Sequence, residues 1–205
     1  MKKSFGFNLI EMAIVLVIVG LLMRSLLIPL PGQIDQKKIV ETRQYLEEIK
    51  EALLGFAVLH GRLPEPDLSG TGVANSSESY EEGELPWASL GVEKYDAWGN
   101  SFRYRVHYNS GVFNPDFHKL VVKNAHSESI LIELKDNDGY SAIIFSKGKN
   151  AKGDKNNDDS DRFYSQGDYV EEPDVNKHFD DILIWLPENI VVNRLVTVGK
   201  WQWAP

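Results

Sequence analysis

The sequence predicts an α+β fold in which a long N-terminal helix, half membrane-spanning and half amphipathic, packs on an antiparallel β-sheet. Three observations predict it. Leu9 to Leu30 is an apolar run with only two ionisable side chains, Glu11 and Arg24. From about Asp35 to His60, apolar residues recur at helical spacing among charged ones. From Ser101 onward, short runs carry the period-two alternation of half-buried strands.

The apolar run comes first. About 20 residues at ~1.5 Å rise each would cross a ~30 Å hydrocarbon core. The basic start Met1-Lys2-Lys3 suits a signal peptide, but no small-x-small cleavage site follows Met23. Glu11 separates this segment from a plain anchor, because a carboxylate inside such a helix costs roughly 2.5–3.5 kcal/mol on insertion scales.

Pro29, Pro31 and Gly32 then break the helical pattern, as a kink or as a hinge leaving the bilayer. The amphipathic helix resumes at about Asp35. Ile39, Leu46 and Leu53 repeat every seventh residue, with Ile49 and Phe56 three residues after Leu46 and Leu53. It stops at His60-Gly61, and Pro64 and Pro66 prevent its return. Asp67 to Glu84, rich in Ser, Gly and Glu, reads as a long surface loop with little to bury. Strands follow at Ser101–Tyr108, Lys119–Val122, Ser129–Leu134, Ala142–Phe145 and Ile182–Leu186, with a turn at Asp136-Asn137-Asp138-Gly139. Asn189 to Val198 fits a short helix better than a strand.

Composition removes several function classes. The 205 residues are 42% hydrophobic and 25% charged, enough for one globular domain plus an appended element. A net charge of −8, with no basic stripe among aromatics, predicts no nucleic-acid partner. The absence of Cys excludes disulfides, thiol catalysis and Cys-type zinc sites together. The five histidines lack spacing such as His-x-x-x-His, and no nucleophile elbow or phosphate-cradling loop is present. An enzyme is not expected.

Lys147 to Asp161 is crowded with Gly, Asn and Asp. Oxygen-rich loops of this kind suit calcium, which takes six to eight hard ligands. The alternative is a solvated acidic loop. An EF-hand register fails, since Asp159 stands where Gly is required and Ser165 where Glu should be.

Gly6-Phe7-Asn8-Leu9-Ile10-Glu11, ahead of the apolar run, resembles the prepilin cleavage and methylation motif of type IV pilins and type II secretion pseudopilins. The family pattern is Gly-Phe-(Ser/Thr)-Leu-(Ile/Val/Leu)-Glu, and this sequence departs from it at Asn8. Asp96-Ala97-Trp98-Gly99-Asn100 is similar to the Asp-Pro-Trp-Gly-Asn segment of major pseudopilins, with Ala97 where Pro is usual. In it Trp98 would anchor the start of the strand to the core, and Gly99 would take an unusual backbone angle. Leu53 to Ala57 with Gly61 to Pro64, and Asp181 to Pro187, resemble segments of minor pilins more loosely.

The resemblance implies a pilin-like fold with three parts: a leader over 1–6, a hydrophobic helix over 7–31 that spans the membrane or packs in a filament core, and a globular domain over 32–205. A prepilin peptidase would cut between Gly6 and Phe7 and methylate the new amine of Phe7. Glu11 would neutralise that amine on a neighbouring subunit and set the register of assembly; a snorkelling or protonated Glu11 is the alternative. The chain would begin in the bacterial inner membrane as a single-pass protein. It would then enter a pilus or pseudopilus, in the periplasm or at the cell surface. Its partners would be other pilin or pseudopilin subunits, the peptidase and the inner-membrane assembly platform. Major pseudopilins hold calcium in a C-terminal loop of similar position, which here implies Asn150, Asp154, Asn156, Asp158 and Asp181 as its ligands. A membrane-anchored binding module that never polymerises is the rival reading.

Overall fold

A computed structural model describes residues 8–27, 30–75, 82–106, 119–127, 129–135, 142–157, 163–170 and 178–199. The chain divides into two compact units, Met1–Ile39 and Val40–Pro205.

In the first unit, helix α1 spans Leu9–Leu27. Asn8 opens it: its carbonyl accepts the N–H groups of Glu11 and Met12 at 2.9 and 3.2 Å, and its Oδ1 accepts the N–H of Ile10 at 3.5 Å. That is an N-cap, a role Asn, Ser and Thr all fill, so Asn in place of a hydroxyl residue keeps the local chemistry. Helix α2 spans Leu30–His60 and so starts five residues before the expected Asp35. Pro31 falls in its first turn, where a missing N–H leaves no bond unmade. Pro29 lies outside the described residues.

In the second unit, α2 buries Thr42, Leu46, Ile49, Leu53 and Ala57, a stripe at three- and four-residue steps. Each fully buried Leu or Ile contributes about 1.5–3 kcal/mol. The opposite face is stitched by Gln44–Glu48, Tyr45–Glu41 and Lys50–Glu47 pairs. Phe56, expected on the core face, is half-buried and stacks on His60 with ring centroids 4.0 Å apart. Gly61 ends the helix at φ 75°, its N–H bonded to the carbonyl of Ala57 at 2.7 Å.

Among the described residues seven strands follow: β1 (Gly83–Glu84), β2 (Arg103–Val106), β3 (Lys119–Asn124), β4 (Ile130–Lys135), β5 (Ala142–Ser146), β6 (Phe163–Gln166) and β7 (Ile182–Leu186). Two short helices, α3 (Trp87–Leu90) and α4 (Glu188–Thr197), and a 3-10 turn over Lys155–Asn157 complete the described elements. The strands form two sheets. The first, in order β1-β2-β5-β7, is antiparallel throughout. The second, β4-β3-β6, is mixed, because β3 pairs antiparallel with β4 but parallel with β6. An expectation of antiparallel pairing alone is therefore corrected for this sheet.

Leu120 and Val122 of β3, Tyr164 of β6, Ile143 and Phe145 of β5 and Leu183 of β7 form one buried cluster that joins the two sheets. Every residue of β5 is buried, so this strand is covered on both faces. The expected strand at 101–108 is seen as β2, with Phe102, Tyr104 and Val106 inward. Residues 107 and 108, like the turn at 136–139, lie outside the described residues.

The surface loop expected over Asp67 to Glu84 is exposed at 68–71 and 73, but its first residue, Asp67, is buried. One carboxylate oxygen of Asp67 accepts the N–H groups of Ser69 and Gly70, and the other accepts that of Gly72. Its backbone pairs with Glu84. A single buried acid thus orders the first part of a polar segment, a form of Asx turn.

Candidate functional site

Two places carry chemistry. The first is α1. From Asn8 to Met23 every side chain is exposed, and from Leu9 onward only Glu11 among them is charged. Glu11 sits in its first turn, where a carboxylate meets the positive end of the helix dipole. Among the described residues no helix is long and apolar enough to cross a membrane. Gly6 and Phe7, the expected processing junction, lie outside the described residues.

The second place is the loop leaving β5, and the turn before β2 holds its near end. Asp96 Oδ1 accepts the N–H groups of Trp98 and Asn100 at 2.9 and 2.8 Å, and Oδ2 accepts the hydroxyl of Ser146 at 2.5 Å. The same Ser146 oxygen accepts the N–H of Gly148 at 3.0 Å, and the Asn100 carboxamide donates to the Gly148 carbonyl at 2.6 Å. Ala97 N–H donates to Thr42 of α2 at 3.2 Å. The Asp-Ala-Trp-Gly-Asn segment therefore links helix, sheet and loop. Gly99 has φ 93°, the unusual angle expected. Trp98, however, is only half-buried, and Phe102 is the aromatic that anchors the start of the strand in the core.

Beyond Gly148 the loop closes on the segment preceding β7. Asp154 is the hub: Oδ2 accepts the N–H of Asp180 at 2.8 Å, Oδ1 accepts the Asn150 carboxamide at 3.3 Å, and its own N–H donates to Asp181 Oδ2 at 2.7 Å. Asn150 N–H donates to Asp180 Oδ2 at 2.8 Å. Asn157 donates to Asp181 Oδ2 and to the Ser165 carbonyl, and accepts the N–H of Ser165, so it fastens the loop to β6. Ala151 and Lys155 take left-handed backbone angles, φ 60° and 54°. Such angles in residues other than glycine are uncommon.

Two adjacent carboxylates are buried here. Asp180 is 0% and Asp181 5% exposed, and each has one oxygen, Oδ1, without a hydrogen bond. His178 Nε2 lies 3.4 Å from Asp180 Oδ1. Burial pushes the Asp180 carboxyl up to about 6; the Asn150 N–H draws it down, Asp154 raises it again and His178 opposes. Burial likewise raises Asp181 well above the carboxylate range, against the bonds from Asp154 and Asn157. Two adjacent acids whose ionised forms water cannot solvate need either a proton or a cation as partner.

Of the five residues expected to ligate calcium, Asn150, Asp154 and Asp181 come together. Asn156 meets Ser165 through its backbone N–H, and Asp158 lies outside the described residues. Asp180 and His178 were not expected. In the extended segment that pairs Phe179 with Val170, residues two apart share a face. His178-x-Asp180 was the available signal.

The chain matches no protein-family model, no curated protein and no solved structure.

Proposed function

We propose that the chain is a structural subunit, a minor pilin or pseudopilin, of a type IV pilus or type II secretion pseudopilus. The observation that carries this reading is α1, a helix apolar on every side, all its described side chains exposed and one carboxylate in its first turn. In this reading the helix first sits in the inner membrane and then packs against the same helix of neighbouring subunits. The amine created at Phe7 pairs with Glu11 of a neighbour, because a charge out of water is tolerated when paired and very costly when alone. The globular domain faces outward, and the work done is assembly rather than turnover.

The test is incorporation. When the chain is expressed with its assembly machinery, it should be recovered in sheared filaments, whereas Glu11→Ala should be processed normally and remain in the membrane fraction. Equal incorporation of the variant would remove the pairing model. A chain that is never processed and never leaves the membrane would favour an anchored binding module.

A further inference from the structure

We propose that Asp154, His178 and Asp180 form a site for a divalent transition-metal ion, with zinc as its representative, rather than for calcium. The inference stands on the geometry of the loop and is independent of whether the chain enters a filament. One ligand atom from each residue lies within 4.8 Å of the other two. His178 Nε2 and Asp180 Oδ1 stand 3.4 Å apart. Two ligands on a tetrahedral zinc, with bonds of about 2.1 Å, stand about 3.4 Å apart.

The second observation is Asp180 itself. Its side chain is 0% exposed, and its Oδ1 turns toward His178 with no hydrogen bond to satisfy it. A buried carboxylate oxygen without a donor is costly, and a bound cation removes that cost. Its other oxygen is fixed by the N–H of Asn150, and Asp154 is oriented by the N–H of Asp180 and the carboxamide of Asn150. These are the outer contacts that aim metal ligands. His178 is 19% exposed, leaving the ion a way in from solvent.

Ligand chemistry chooses the metal. Calcium takes six to eight oxygens, while an imidazole nitrogen with two carboxylates suits zinc, manganese or iron. Asp181 does not join the set. It lies outside the group whose ligand atoms converge, and its Oδ2 accepts the Asp154 N–H and the Asn157 carboxamide, so it shapes the loop that presents Asp154.

The experiment uses the full chain in detergent micelles, stripped with a chelator and titrated calorimetrically with Zn2+ or Ca2+. One Zn2+ should bind per chain, about 100-fold more tightly than Ca2+. His178→Gln should weaken Zn2+ by at least the 10–100-fold that loss of an outer-shell partner costs, with Ca2+ binding unchanged. No saturable Zn2+ binding, calcium bound as tightly as zinc, or a His178→Gln variant that binds Zn2+ normally would each overturn the site. X-ray absorption of the wild-type zinc complex adds a test needing no variant: one imidazole is expected in the coordination shell, and none would refute the assignment. Processing at Gly6-Phe7, measured on the same preparation, reports separately on the filament reading.

Discussion

The carboxamide of Asn100 donates a 2.6 Å hydrogen bond to the carbonyl of Gly148, so the turn that opens β2 holds the loop that leaves β5. Gly148 is equally constrained from its other side. It has φ 59°, and a Cβ there would stand 2.2 Å from the carbonyl oxygen of Asp180. Sequence positions 100, 148 and 180 thus meet at one point, directly beside the buried acids.

Gly148→Ala should therefore destabilise the domain by about 3 kcal/mol, from the left-handed angle and the overlap together. Asn100→Ala should cost about 1 kcal/mol, the worth of one hydrogen bond. Thermal and denaturant unfolding measure both. A Gly148→Ala protein as stable as wild type would contradict the close approach.

The buried acids give the metal-free protein an unusual pH dependence. Asp180 holds its proton up to about pH 6 when folded, but releases it near 3.8 when unfolded. Between those values the folded state binds more protons, so this group's contribution to stability falls as pH rises from about 4 to about 6. Asp181 acts with the same sign. Acidifying from pH 7 to 5 should raise the unfolding midpoint of wild type relative to Asp180→Asn. A wild-type midpoint that drops relative to the variant would contradict the burial of this carboxyl.

The two sheets are also joined through a buried carboxylate. Glu82, 4% exposed, pairs with Arg103 of β2 at 2.9 Å and accepts the Tyr164 hydroxyl of β6 at 2.9 Å. The Arg103 side chain is 23% exposed, but removing it takes the cation from a buried carboxylate. Arg103→Met should cost about 3 kcal/mol, and adding Glu82→Met should recover most of it. A double-mutant cycle read by chemical denaturation decides; additive losses would mean that the pair is not coupled.

How far the sequence reaches is clear from particular residues. Gly61 ends α2 where it should, Ile182–Leu186 is a strand to the residue, and α4 follows Pro187. These signals are local, carried by backbone angles and periodicity. Strand β6 is four residues beside an acidic loop, and its parallel partner β3 lies some forty positions earlier, so no local pattern reveals it. The loop site shows the same division. Asn150 and Asp154 are legible as an oxygen-rich loop, but His178 and Asp180 arrive from a segment that only folding places there. The early start of α2 reflects another limit: proline breaks a helix interior but is accepted in its first turn.

The proposal that this chain is a processed filament subunit stands or falls on the mass of its N-terminal peptide after co-expression with a prepilin peptidase. A mature chain beginning at N-methylated Phe7, with residues 1–6 removed, is expected. An intact Met1 terminus, or cleavage at any other bond, would contradict it.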